Sequence, residues 1–404
     1  MTRLDDLARS PNALAPHYSR FRVADRLLLT GHSHQAWPDV AREGQLEAYD
    51  DAAELVDGKW DRAFARADDV RGGFRRLLCD PEGDIALGAS THDVVVRFLS
   101  ALDLGRRRRL VTSTGEFHTL RRQLARLAEA GIDVDWVAAE PAATLAERLA
   151  AAVDDRTAAV LVSAVLFETA RVVHHLDALA DACRHRGAEL LVDAYHALGV
   201  VPFPIHALGL SDAWVVGGGY KYLQLGEGNC FLRLPAHAVR LRPVVTGWYA
   251  DFDTLPDQSH PAPVAYGPGP QRFAGATYDP TSHYRAARVF RFFDEHGLTP
   301  ELLHGSYRHQ IEVLTREFDA LGVPDGVITR DRATPVSAFG GFLALETPDA
   351  SGLQAALHER GVSADSRGRF LRLGPAPYLS DSQLEAAVGV LGEVVGRFRH
   401  SVRT

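Results

Sequence analysis

From about residue 80 to 290 the chain alternates short aliphatic or β-branched runs with amphipathic stretches, and few folds accommodate that alternation. The runs DIALGAS, RRLVTSTGEF, VDWVAAE, TAAVLVSAVLF, AELLVDAYHA, DAWVVGGG and NCFLRLP read as strands or strand ends. Between them, THDVVVRFLSALDL, TLRRQLARLAEAG and LDALADACRHRG space their apolar residues at three and four, as buried helix faces do. Gly131 and Gly187 fall where two of those helices should stop. The pattern is that of βαβ units on a mostly parallel sheet, an α/β fold.

After residue 300 the pattern changes. A long helix candidate, ELLHGSYRHQIEVLTREFDALG, is followed by GFLALET, a short helix, RFLRLG and an amphipathic end, SDSQLEAAVGVLGEVVGRF. This predicts a smaller α+β layer. A chain of 404 residues suits one large domain plus a smaller one. The expected division is residues 1–60 as an N-terminal segment packing with the small domain, 61–295 as the large domain and 296–404 as the small domain. The stretch 252–273, rich in proline and glycine, reads as a long ordered loop near a site.

A net charge of -8 argues against nucleic acid or a membrane surface as a general partner, because both call for a basic face. The one basic run, Arg106 to Arg109, precedes a strand-like LVT and reads as a solvated turn. Three scattered cysteines, Cys79, Cys183 and Cys230, do not make a disulfide framework or a cysteine-rich zinc site, so no metal is expected. The N-terminal MTRLDDLARSPN lacks the apolar core of a signal peptide. A cytoplasmic protein is the expectation.

In open parallel sheets ligands sit at the carboxyl ends of the strands, and three clusters fall there. In GASTHD, Ser90 and Thr91 follow a strand and open a helix, where free N–H groups and hydroxyls can hold a phosphate. Taken alone, one of the two is more simply a helix cap. In LLVDAYHALG, Asp193 ends an aliphatic strand and needs a cationic partner, while His196 can face the same pocket or be a backbone-bonded core residue. In GGGYKYLQLGEGN, Lys221 lies at a strand end beside glycine backbone, where lost solvation lowers an amine pKa and makes a nucleophile and base. An aspartate one strand before such a lysine is what pyridoxal phosphate requires: the lysine forms the Schiff base and the aspartate keeps the pyridinium nitrogen protonated.

With those residues the chain resembles the kynureninase family of fold type I (class V aminotransferase-like) pyridoxal phosphate enzymes. The similarity runs from LLLTGHSHQAWP to FLRLGPAPYLS and is carried by YKYL, DAYHALG and GASTHDVV. The resemblance implies a mostly parallel seven-stranded sheet and pyridoxal 5'-phosphate as cofactor. It implies that Lys221 holds the cofactor and acts as base at Cα, and that Tyr220 contacts the phosphate and donates a proton to the substrate carbon. Asp193 would pair with the pyridinium nitrogen, His196 would lie beside it, and Phe117 would stack on the ring. Ser90 and Thr91 would hold the phosphate, joined from a neighbouring subunit by Trp248 and Thr277, which implies a homodimer with active sites at its interface. Arg372 would grip the α-carboxylate of an amino acid substrate.

The chain departs from the family at three places. His118, Thr119 and Leu120 follow Phe117 where the family has Pro, Thr and Asp. QLGEGN replaces an asparagine, serine, glycine, proline run after the lysine. GHSHQAWP, with His32 and His34 as candidate substrate contacts, replaces an asparagine-serine-leucine-glycine stretch. The activity implied is hydrolysis of the Cβ–Cγ bond of L-kynurenine or a related γ-oxo amino acid. An aminotransferase, a β-elimination (C–S) lyase and a catalytically decayed cofactor-binding protein are the alternatives.

Overall fold

The computed structural model describes residues 2–257 and 263–401, so part of the 252–273 stretch lies outside the described residues. Seven strands form the main sheet: β1 (Asp84–Gly88), β2 (Arg109–Ser113), β3 (Asp133–Val137), β4 (Thr157–Ser163), β5 (Glu189–Asp193), β6 (Trp214–Gly218) and β7 (Cys230–Leu234). Their order across the sheet is β1-β7-β6-β5-β4-β2-β3. All pairings are parallel except the two made by β7, which runs antiparallel to both β1 and β6. The mostly parallel, seven-stranded expectation holds.

Both faces of this sheet are covered, which is why its strands read as nearly unbroken apolar runs. Along β4, Val160 and Val162 enter one hydrophobic core, and Ala159 and Leu161 enter the core on the opposite face. That is the period of two of an extended chain. Helices α3 (Thr91–Ala101), α4 (His118–Glu129) and α6 (Leu176–Arg186) begin and end near the expected places. Gly187 closes α6 in the left-handed conformation, φ 62°, at no side-chain cost. Arg107, from the basic run, donates to the Arg186 and Gly187 carbonyls at that helix end and so caps it.

Helices α1 (Val40–Leu55) and α2 (Lys59–Leu78) precede the sheet, and α5 (Leu145–Ala152) lies between β3 and β4. The buried faces of α1 and α2 carry Ala41, Gly44, Ala48, Ala63, Ala67 and Gly73, so their apolar periodicity is muted in the sequence. The small residues allow close approach: a Cβ at Gly44 would lie 2.6 Å from the Tyr284 carbonyl on α7 (Thr281–His296). Beyond α8 (Pro300–Ala320), a four-stranded antiparallel sheet holds β8 (Thr329–Arg330), β9 (Leu343–Glu346), β10 (Asp365–Arg367) and β11 (Phe370–Leu373). Helices α9 (Ala350–His358) and α10 (Asp381–Ser401) complete this layer. The start of the chain joins it, as Leu27–Leu28 pairs in parallel with Val362–Ser363 and Thr30 bridges to Gly374. Among the described residues no helix is long and apolar enough to cross a membrane.

Candidate active site

A cavity of about 300 Å³ opens at the carboxyl ends of β1, β4, β5 and β6. Ser90, Thr91 and Phe117 line one part of its wall, and Asp193, His196, Tyr220 and Lys221 another. The connection that carries Lys221 joins β6 to its antiparallel neighbour β7. It is tied at its base by Gly219 N–H donating to the Asn229 carbonyl (2.9 Å) and by Leu225 N–H donating to the Gly219 carbonyl (2.9 Å). The glycines before it are required by contact. A Cβ at Gly218 would sit 2.5 Å from the Tyr195 hydroxyl oxygen, and one at Gly219 would sit 2.4 Å from the Leu225 side chain.

The Lys221 amine is buried and lies 2.7 Å from His196 Nε2. Burial lowers its pKa to about 7 against the opposing pull of Asp193, and the positive charges of Arg372 and Arg367 lower it further. His196 is held well below the usual imidazole range, first by burial and then by Lys221, His32 and Arg372. A neutral imidazole can therefore accept from the lysine through Nε2. Its Nδ1 is buried and without a hydrogen-bond partner. The Phe117 and Tyr195 ring centroids lie 5.1 and 4.8 Å from the amine.

Asp193 accepts a hydrogen bond from Tyr195 N–H (2.8 Å) and makes no ion pair among the described residues, because the nearby lysine is turned to His196. Burial raises its pKa. Lys221 pulls the other way from a distance, so the carboxylate still lacks a hydrogen-bonded cation to compensate it. Tyr220 packs on Tyr195 and stacks on His34, with centroids 5.0 Å away in each case, and its phenol is pushed up to about 12, chiefly by burial.

Ser90 proves to be a helix cap: its hydroxyl accepts from Asp93 N–H (3.1 Å), and Asp93 returns the contact to Ser90 N–H (3.1 Å). Thr91 Oγ1 donates to Cys230 Sγ at 3.7 Å. The cap and the helix N-terminus lie together at the cavity, so the structural and anion-binding readings of GASTHD are compatible.

The remaining predicted residues lie off this wall. Arg372 is buried and donates to the Phe167 carbonyl (2.5 Å) and to the Asp365 carboxylate, while its Nε has no partner. His32 is fully buried, 3.5 Å from Asp365 and 4.6 Å from the Phe342 ring, and burial brings its pKa down to about 4. His34 is exposed beside Glu227, 3.7 Å away. Phe342 gathers His32, His196 and Arg372 around one ring, the last two at 6.0 and 5.5 Å. Thr277 lines a second cavity of about 1000 Å³, which adjoins the first through Ala89, Glu227 and Gly228. Trp248, 44% exposed, packs on Tyr249 of that second cavity's wall.

Several residues of the site carry little sequence signal. Tyr195 could have been noticed between Asp193 and His196 in the same strand-end motif. Glu116, Ser163 and Asp365 have no such cue, because what singles them out is contact across the fold.

These groups fit pyridoxal phosphate. An uncompensated carboxylate, an amine of low pKa, an aromatic wall and a helix N-terminus surround one cavity, and each answers a different part of that molecule. No family model matches the chain. Among curated proteins it is 26% identical to a kynureninase of Pseudomonas fluorescens over 98% of this chain and 96% of that protein. It is also 26% identical to a kynureninase of Burkholderia pseudomallei over 90% of this chain and 88% of the relative. Among solved structures it resembles a C-DES mutant with glycine covalently linked to its PLP cofactor (TM-score 0.80, 15% identity, 94% of this chain and 98% of that one). A cysteine desulfurase of Thermococcus onnurineus NA1 gives a TM-score of 0.78 at 17% identity, over 96% of this chain and 98% of that one. The chain is thus similar to kynureninases over nearly its whole length and shares the fold of these solved structures, with a cavity whose groups suit pyridoxal 5'-phosphate.

Proposed function

We propose that the protein is a kynureninase-like hydrolase that splits the Cβ–Cγ bond of L-kynurenine, or a related γ-oxo amino acid, into a carboxylic acid and L-alanine. The observation that carries this reading is the gathering of Lys221, His196 and Arg372 about one buried site, in a chain similar to kynureninases along its whole length. Pyridoxal phosphate supplies an aldehyde for amines and, when protonated at its ring nitrogen, an acceptor for electrons.

In this reading Lys221 would hold the aldehyde of the cofactor and, with its amine free, would serve as the base for the proton at Cα. A pKa near 7 leaves a useful fraction of its amine free to act as base at neutral pH. His196, through Nε2, orients that amine. Asp193 would pair with the ring nitrogen and favour its protonated state. Phe117 would stack on the ring. The open end of α3, with Ser90 and Thr91, takes the phosphate. Arg372, helped by His32, receives the α-carboxylate, and His34 borders the entrance beside Tyr220. Addition of water to the γ-carbonyl would break the Cβ–Cγ bond and release the carboxylic acid, with Tyr220 placed to protonate Cβ and Lys221 to return the proton to Cα, which gives L-alanine.

The working unit in this reading is a homodimer whose second copy brings Trp248 and Thr277 to the phosphate. Exposed Val244, Trp248 and Phe252 (82%, 44% and 45%) give such an interface apolar surface to cover. The reading is tested by supplying cofactor-loaded protein with L-kynurenine and following anthranilate fluorescence. Anthranilate with equimolar alanine is expected. Turnover of another amino acid to pyruvate and ammonia, or by amino transfer to a 2-oxo acid, in the absence of anthranilate would replace the hydrolase with a lyase or an aminotransferase.

A further inference from the structure

Glu116, the residue before Phe117, is 1% exposed and makes no ion pair among the described residues. Two serine hydroxyls hold it, together with a backbone hydrogen bond at Ser163: Ser113 Oγ lies 2.5 Å from Oε1 and Ser163 Oγ lies 2.6 Å from Oε2. Ser113 ends β2 and Ser163 ends β4, the strands on either side of their shared pairing. Ser163 also stands in register with Asp193 on β5 and lines the cavity with it. A carboxyl buried behind Ser163 of the cavity wall, with hydroxyls in place of a cation, is costly as an anion. Its pKa is pushed up to about 7, first by burial, against the pull of the Ser113 and Ser163 hydroxyls, and further by Asp193, the charged group it feels across the strands.

The hydrogen-bond directions follow from the partners. Ser113 Oγ accepts from Gly115 N–H (3.1 Å), which leaves its own hydrogen for Oε1. An acid proton on Glu116 therefore belongs on Oε2, facing Ser163. With that proton present, Ser163 accepts from Glu116 and its hydroxyl hydrogen is free for the cavity. With it absent, Ser163 must donate to Glu116, and the cavity meets a lone pair instead.

We propose that Glu116 is a positioning residue whose proton sets whether Ser163 offers the bound cofactor a hydrogen-bond donor or an acceptor. The proposal rests on pyridoxal phosphate lying against Asp193, and it assigns a role to a carboxyl that the hydrolase reading leaves unused.

The test is a pH titration of the visible absorbance of cofactor-loaded wild type, Glu116→Gln, Ser163→Ala and the double variant. Glu116→Gln is expected to move the midpoint by about half a unit or more, the equivalent of one hydrogen bond gained or lost. In the Ser163→Ala background the same substitution should leave the midpoint almost unmoved. Equal shifts in both backgrounds would mean that Glu116 acts by charge alone and would overturn the proposal. Infrared difference spectra give a second readout that does not need the cofactor. A protonated carboxyl band present at pH 6 in the wild type, absent in Glu116→Gln and lost on passing neutrality, is expected, and its absence overturns the proposal. Wild type without visible absorbance would instead remove the cofactor site, and the proposal with it.

Discussion

The two sides of the active site handle charge in opposite ways. On the large-sheet side Asp193 makes no ion pair among the described residues, and the nearby Lys221, of lowered pKa, is bound to a neutral histidine. On the small-layer side Arg372 is already paired with Asp365, which also meets Arg367 at 3.0 Å and His32 at 3.5 Å. The first side leaves its charges to be completed by a ligand, and so it describes that ligand. The second completes itself within the protein, so it accepts a carboxylate only as a competitor or companion of Asp365 and says less about what the substrate carries.

The contrast can be broken most forcefully at Lys221. Replacing it with alanine should abolish the visible absorbance of covalently held cofactor and lower turnover on the order of 10²- to 10⁴-fold. A borohydride-reducible link between protein and cofactor retained in that variant would mean that Lys221 does not hold the cofactor. A smaller effect is expected on the other side. Arg372→Lys loses the planar fork and should raise the KM for an amino acid substrate roughly ten- to hundred-fold, with the cofactor absorbance unchanged. An unaltered KM would make the Arg372–Asp365 pair purely structural.

The smallest effect concerns stability of the apoprotein. Unfolded lysine titrates near 10.4, whereas Lys221 in the fold titrates at about 7, so between those values the unfolded chain binds more protons and stability rises with pH. Glu116, raised to about 7, gives the opposite slope between roughly pH 4.3 and 7. Denaturant midpoints across pH should show a shallow minimum near neutrality, and Lys221→Met should flatten its alkaline arm. A profile that Lys221→Met leaves unaltered would mean that the amine is not desolvated in the apoprotein.

Much of the sheet was legible because burial on both faces writes each strand as an apolar run. Asp193 and Lys221 stood out for the same reason, as polar residues at the ends of such runs. The pairs that complete the site were not legible. Glu116 meets Ser163 across 47 residues, and Arg372 meets Phe167 across 205, and no local pattern records such meetings. Arg372 and Asp365 are near in sequence, yet only the hairpin of β10 and β11, which sets them in register, makes them partners. The muted helices α1 and α2 fell to another cause, since alanine and glycine on a buried face give close packing without strong hydrophobicity.

The hydroxyl of Tyr18 donates to the Gln224 side chain, 206 residues away, and Gln224 occupies the left-handed region at φ 61° three residues after Lys221. A backbone shape that side chains rarely adopt is thereby fastened by the opening segment of the chain. The loop that carries Lys221 is framed by a residue more than two hundred positions before it, so its local shape depends on a contact that no local sequence supplies. Tyr18→Phe is consequently an intervention on the Lys221 loop, although it changes no residue of the cavity wall.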